Sequence, residues 1–390
     1  MLDSLHVKNF RCLEDFQVSK LGRVNLIVGK NNSGKSTVLE ALRLYAGNAQ
    51  PALLEAIAAE HDEKVRAGDV DLGSIDQVLP FQDFFTGRVF PSNDGVPISI
   101  GSLTLPEDGL SIEHVYMLET EVEVQVSNGP TEETVWRIRR SVVPKAKLSS
   151  TNEALSQALQ ISKGSRTFAP ILFDRALTRP RFAMSDVQGS VPCSVVATQF
   201  GWVDELADGW DKVVFTPQED VVREALQIIA PEFENLTFVR NTDPGYPRAR
   251  SAIQRGARVK LRDIPRPVPL NSMGDGMLRV LQLALKIFPA KGGFLLIDEF
   301  ENGLHYSVQE RIWQLAFEMA QRLDIQIFAT THSWDCVESF SKVARSRSDI
   351  DGVLFRVGRS VRTSEQGRVI ATVFDEAALY SITQSDVEVR

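Results

Sequence analysis

Residues 2–10, Leu-Asp-Ser-Leu-His-Val-Lys-Asn-Phe, alternate apolar and polar side chains as a half-buried strand does, and Phe16-Gln17-Val18 predicts its hairpin partner. The apolar run Val24-Asn25-Leu26-Ile27-Val28 predicts a buried strand, with helices over 36–42 and 52–66 after it. From about 72 to 198, short alternating runs such as Val122-Glu123-Val124-Gln125-Val126 stand between turn residues and predict an antiparallel β region. A helical piece is expected within it at 152–160. Residues 194–199 predict a buried strand with a polar end, 202–210 and 217–229 helices, and 238–270 extended chain. From 274 onward helix and strand alternate (274–287, 294–297, 306–322, 325–329), which implies a largely parallel sheet covered by helices. Strands near 352–357 and 369–372 and a helix near Asp375 extend or flank it. No heptad repeat is sustained, so a long coiled coil is excluded.

The expected organisation is therefore α/β, with a nucleotide lobe built from 1–71 and 190–390 and a β-rich insertion at 72–189. A chain of 390 residues can bury a sizeable core. With 43% hydrophobic and 24% charged residues the composition is that of an ordinary globular protein, not a disordered or fibrous one. The longest candidate membrane run, Phe294-Leu295-Leu296-Ile297, is far too short to span, and the N-terminus lacks a basic-then-apolar leader, so a cytoplasmic protein without a membrane partner is expected. Cys12, Cys193 and Cys336 are too scattered for a disulfide framework or a zinc site, and the five histidines form no metal-spaced pair.

The net charge of −8 argues against nucleic-acid binding by the whole surface. Arg248, Arg250, Arg255, Arg258, Lys260, Arg262 and Arg266 nevertheless concentrate positive charge. They read either as a groove for DNA or a partner, or as a solvated strand face balanced by the acidic remainder.

Four stretches carry chemistry. The first, Gly29-Lys30-Asn31-Asn32-Ser33-Gly34-Lys35-Ser36, has two glycines with four residues between them, then lysine and a hydroxyl residue. A loop of this kind wraps its backbone N–H groups around a triphosphate, Lys35 serves the β and γ phosphates, and Ser36 offers a hydroxyl to Mg²⁺. Asn31, Asn32, Ser33 and Thr37 complete the candidate ATP contacts. In the second, Gly293 to Glu299, an apolar strand ends in two carboxylates. Asp298 then suits Mg²⁺, usually through water, and Glu299 suits the base that deprotonates the attacking water. Third, His332 in Thr330-Thr331-His332-Ser333 follows the next strand and can donate to the γ-phosphate. Fourth, Ser272 and Gly274 precede a long apolar helix and read either as an anion site at its positive end or as an ordinary N-cap. Arg11, at the tip of the first hairpin, either reaches the nucleotide or sits in solvent.

The order of these pieces resembles the ATP-binding-cassette type of ATPase, and within it the head domains of SMC and RecF-type proteins. The stretch Leu5-His6-Val7-Lys8-Asn9-Phe10-Arg11 with 29–36 resembles the start of those heads. Residues 297–305 (Ile-Asp-Glu-Phe-Glu-Asn-Gly-Leu-His) and 329–333 (Ala-Thr-Thr-His-Ser) resemble the OLD group and its stand-alone relatives. The resemblance covers roughly 1–50 and 190–390. It implies a composite site in which Lys35, Ser36 and Glu299 of one subunit face Ser272 and Gly274 of another across a sandwiched ATP, so that a homodimer, or a higher oligomer, hydrolyses it. It implies Gln199 as a further Mg²⁺ contact and 302–305 as the segment that crosses the dimer seam. Glu301 receives no role. The intervening chain lacks SMC heptads, and the tail lacks the acidic cluster of a TOPRIM nuclease. Several relatives work beside a separately encoded effector, often a nuclease, in bacterial anti-phage defence, so the resemblance implies a dimeric ATPase that acts as sensor and regulator of such an effector. A RecF-type DNA-binding repair or replication ATPase is the alternative.

Overall fold

The computed structural model describes residues 1–63, 80–91, 95–128, 131–143, 148, 155–173, 189–199, 203–240, 255–347, 349–362 and 367–374. The helix expected near Asp375, the end of the helix expected over 52–66, and Arg248 and Arg250 lie outside them. The strands are β1 (Leu5–Phe10), β2 (Leu13–Val18), β3 (Val24–Val28), β4 (Ile98–Gly101), β5 (Leu110–Asn128), β6 (Thr131–Val143), β7 (Leu155–Lys163), β8 (Arg166–Thr167), β9 (Ile171–Leu172), β10 (Cys193–Val196), β11 (Phe233–Arg240), β12 (Arg255–Leu261), β13 (Val268–Pro269), β14 (Phe294–Ile297), β15 (Gln326–Thr331), β16 (Gly352–Arg359) and β17 (Val369–Phe374). The α-helices are α1 (Lys35–Ala46), α2 (Pro51–Glu60), α3 (Val203–Val213), α4 (Pro217–Ile229), α5 (Asp275–Ile287), α6 (Tyr306–Arg322) and α7 (Trp334–Ser346).

The chain packs as two compact units, one of Met1–Asp3, Val18–Leu39 and Val191–Arg390, the other of Ser4–Gln17 and Glu40–Ser190. The first hairpin and the chain from Glu40 thus pack with the β-rich region, whereas the sequence reading grouped 1–71 with the nucleotide lobe.

The first unit is built on a six-stranded sheet in the order β10-β14-β15-β3-β16-β17, parallel except at the β16–β17 edge. Every residue of β3, β14 and β15 is buried, which is why these strands read as apolar runs without alternation. Asn25 interrupts the run at no net loss. Its amide exchanges two 2.8 Å hydrogen bonds with the Gly22 backbone and donates a third, at 3.1 Å, to the Ile327 carbonyl. The register sets Val28 beside Thr331, and Ile297 beside both Ala329 and Val196. The carboxyl ends of β3, β14, β15 and β10 therefore line up at one edge, the place where open α/β sheets bind ligands.

Beneath the chain leaving β14, Phe300 stacks flat on the buried Trp313 of α6, with ring centroids 3.7 Å apart, and Phe317 and Phe340 pack around Trp313. Helix α7 is absent from the sequence reading, although Cys336, Val337, Phe340 and Val343 are buried at the i, i+1, i+4, i+7 spacing that marks one helix face. Strands β11, β12 and β13 form a separate antiparallel sheet in this unit. There Arg255 pairs with Asp211 at 2.7 Å and Lys260 with Glu234 at 2.7 Å, so part of the basic cluster is neutralised locally.

The second unit is antiparallel, in the order β2-β1-β4-β5-β7-β8, with β6 on β5 and β9 on β7. The helix expected at 152–160 is a correction: β7 runs from Leu155 to Lys163 and pairs with β5 from Leu110 to Leu118. Its Ala, Leu and Gln residues favour a helix locally, but a nine-residue ladder with Ala158, Leu159 and Ile161 buried outweighs that weak preference. Among the described residues no helix is long and apolar enough to cross a membrane.

Candidate nucleotide site

The phosphate loop leaves β3 and enters α1 as the motif requires. A Cβ on Gly29 would lie 2.3 Å from the Val357 carbonyl oxygen, so only glycine lets the loop pass that neighbouring strand. Gly34 (φ 105°) and Asn32 (φ 59°) supply the left-handed turns, at a glycine and at a residue type that tolerates them. Lys35 curls back over the loop, its Nζ donating to the Gly29 carbonyl at 2.8 Å and the Lys30 carbonyl at 3.0 Å. Burial lowers its pKa from the usual lysine value, against the opposing pull of Asp298, Glu299 and Glu301. Asn31 and Asn32 are exposed, while the buried Ser33 hydroxyl makes no hydrogen bond among the described residues.

The site converges on Asp298. Ser36, 262 residues away in sequence, donates its hydroxyl to the Asp298 carboxylate with 3.3 Å to each oxygen. Thr198, two residues past the end of β10, donates to Oδ2 at 3.0 Å, and Thr330, in β15, to Oδ1 at 2.6 Å. The Thr330 oxygen also accepts the Glu299 N–H at 2.8 Å. Glu299 itself adopts φ 49°, an uncommon conformation for a residue with a side chain. Its turn is tied down by Phe300 N–H on the Thr330 carbonyl at 2.9 Å and by Asn302, whose amide donates to the Thr198 carbonyl at 2.6 Å.

Glu301 gains a definite place. Its Oε1 accepts the backbone N–H groups of His332 and Ser333 at 3.0 and 3.1 Å and lies 3.2 Å from His332 Nδ1. Glu299 Oε1 is 3.6 Å from the same nitrogen, so the histidine sits between two carboxylates. Underneath, the fully buried Arg279 of α5 donates to the carbonyls of Ala197, Asp298 and Glu299, each at 2.7 Å. Desolvation pushes its pKa down to about 10, still far above neutrality.

Asp298, Glu299, His332, Lys35 and Ser36 thus meet at one sheet edge. Gln199 is exposed just beyond β10, and it is Thr198 beside it that reaches Asp298. The Ser272 hydroxyl donates to the Pro269 carbonyl at 2.7 Å. Gly274 is exposed with φ 86° and ψ 166°, a conformation reserved for glycine, and a Cβ there would meet nothing within 4 Å. Arg11 does not sit in solvent. In the second unit it forms a largely buried ion-pair cluster with Glu40 at 3.1 Å and Glu63 at 2.8 Å.

Thr198, Thr330 and Arg279 were missed by sequence reading. The only signal for the threonines is that each lies at the polar end of an apolar strand adjoining β14. For Mg²⁺ the donors fit. A hard cation of this kind is usually held by one or two protein oxygens together with substrate phosphates and water, and Ser36 and Asp298 present such a pair. Among the described residues no group of three or more His, Cys, Asp or Glu could hold a metal by itself.

Two family models match the chain. One described as "AAA ATPase domain" covers residues 1–90, and one described as "AAA domain, putative AbiEii toxin, Type IV TA system" covers 198–335. An ATP/GTP phosphatase of Helicobacter pylori is 23% identical over 365 residues, 89% of each chain. The OLD nuclease of Thermus scotoductus is 51% identical over 53 residues, 14% of this chain and 10% of that one. Among solved structures, an SMC head bound to the C-winged helix domain of ScpA aligns over 97% of this chain and 99% of its own, at 13% identity and a TM-score of 0.47. The two matches span both the phosphate loop and the paired carboxylates, which the contact of Ser36 with Asp298 brings together, so on both sides of the site the chain is similar to ATPases of the AAA and OLD kind.

Proposed function

We propose that the protein binds ATP with Mg²⁺ at 29–37 and Asp298, hydrolyses it with Glu299 as base, and does so as a homodimer in which a second copy brings Ser272 and Gly274 to the γ-phosphate. The convergence of three hydroxyls, from Ser36, Thr198 and Thr330, on the one carboxylate of Asp298 carries this reading. A Mg²⁺ ion held there would neutralise phosphate charge as the bond to the leaving group breaks. Lys35 would exchange its two loop carbonyls for phosphate oxygens. Glu299, fixed by its backbone N–H, accepts the proton of the attacking water, and His332, held at Nδ1 by Glu301, keeps Nε2 for the γ-phosphate. Gln199 is the further metal contact. The open glycine conformation at Gly274 and the exposed Ser272 support completion by a neighbouring copy, because among the described residues nothing lies within 4 Å of a Cβ placed on Gly274.

We further propose that the ATP state is read by a separately encoded effector in anti-phage defence. The RecF-type alternative, DNA held by the Arg248–Arg266 region, is less favoured because Arg255 and Lys260 are engaged by Asp211 and Glu234. The test combines ATP binding, hydrolysis and solution mass for the wild type, Lys35→Ala and Glu299→Gln. Lys35→Ala should lose ATP binding, and Glu299→Gln should bind ATP, stop hydrolysing and accumulate as a dimer. Wild-type turnover by Glu299→Gln would remove that carboxylate from its role. Isolation with the genomic neighbour, with and without ATP, identifies the effector by what copurifies, while ATP-dependent, salt-sensitive duplex binding would move the reading to DNA.

A further inference from the structure

Among the described residues Arg279 is the largest charged side chain with no exposure at all, and neither the phosphate chemistry nor the metal uses it. A guanidinium taken wholly out of water costs several kcal/mol unless its donors are satisfied. Here the two terminal nitrogens are spent almost entirely on backbone, the carbonyls of Ala197, Asp298 and Glu299 at 2.7 Å, with the Gln282 side chain at 3.1 Å as the remaining partner, while the buried Nε has no partner among the described residues. The three carbonyls belong to the ends of β10 and β14, the two strands that deliver Thr198, Asp298 and Glu299. Arg279 itself stands on α5, the helix that opens directly after Ser272 and Gly274.

A second contact joins the same two parts. A Cβ on Gly276 would lie 3.1 Å from the Gly303 carbonyl oxygen, and one on Gly303 would press on Asp275 at 3.2–3.3 Å. The first turn of α5 is therefore packed backbone to backbone against the chain that follows Glu299. Glu299 needs such support, since its left-handed conformation persists only where the surroundings enforce it.

We propose that Arg279 is a positioning residue for Glu299: it clamps the turn that carries the carboxylate to the helix that begins at Ser272 and Gly274. The site's base is then in place only while that helix is, which links hydrolysis to the state of the surface offered to the second copy. The inference rests on the assignment of hydrolysis to Glu299.

Arg279→Lys keeps the charge and removes the fork. Misplacing a catalytic group by about 1 Å costs on the order of 100-fold in rate. Arg279→Lys is accordingly expected to lower kcat about 30- to 100-fold while the dissociation constant for ATP stays within about threefold, and to cause no further loss in a Glu299→Gln background, because both changes act through one group. A kcat within threefold of wild type, or parallel losses of ATP affinity and kcat, overturns the clamp. Should Arg279→Lys fail to fold, Gln282→Leu, which releases only the side-chain partner, carries the test with an expected three- to tenfold fall in kcat at unchanged affinity; an unchanged kcat overturns it. Glu299→Gln is assayed in parallel. If Glu299→Gln retains activity, the reading of the site has failed, whereas an inactive Glu299→Gln beside a fully active Arg279→Lys means that only the clamp has.

Discussion

Thr330→Val replaces a fully buried hydroxyl by a methyl of the same shape at a residue that does two things at once. Its oxygen donates to the Asp298 carboxylate at 2.6 Å and accepts the Glu299 N–H at 2.8 Å. Losing the first bond removes a charge-assisted interaction of roughly 1.5–3 kcal/mol, partly restored by water because Asp298 is only half-buried. Losing the second strands a backbone donor at a cost of about 1–3 kcal/mol. The change in packing is close to neutral. Together these give about 2–4 kcal/mol of destabilisation, read as a shift of the urea midpoint without change of slope. Hydrolysis should fall at least tenfold beyond any loss of folded protein, since the same bonds fix Asp298 and the turn of Glu299. Thr330→Ser keeps the hydroxyl and should stay within about 1.5 kcal/mol of wild type on the scale of losing one buried methyl group. Equal stability and equal turnover for the valine and serine variants would refute the reasoning.

Two further outcomes follow from the geometry. Gly274→Ala meets open space, so its cost is conformational, about 1–3 kcal/mol for a backbone at φ 86° and ψ 166°; the folded monomer should still bind ATP, by equilibrium dialysis, but hydrolyse and dimerise poorly. In the second unit the hydrogen bond from His61 to Glu40, 2.7 Å long, raises the histidine's pKa above 6.5. The folded state then binds the proton more tightly than the unfolded one, so this contribution is complete below the unfolded value and fades as pH rises through the folded one. Melting temperature should therefore fall more steeply above pH 6.5 for the wild type than for His61→Gln, and parallel curves would exclude the pair as the cause.

Much of this protein was legible along the chain. A loop that wraps phosphate must use residues next to one another, so Gly29 to Ser36 announces itself locally, as do the apolar strand ending in Asp298 and Glu299 and the one running into His332. Strands buried on both faces are apolar throughout, which made β3, β14 and β15 readable and implied a parallel sheet. Helix α7 carried its periodicity and was simply passed over. At β7 the local preference pointed to helix, and only the ladder to β5 decided otherwise. The surroundings of the carboxylates belong to tertiary structure alone. Which residues meet across β10, β14, β15 and β3 depends on strand order and register, and a threonine at a strand end looks the same in sequence whether or not a carboxylate lies beside it. Arg279 is the sharpest instance: on a helix otherwise buried along its length it resembles a residue that snorkels to solvent, and its carbonyl partners are brought to it only when two strands and a helix from distant parts of the chain close around it.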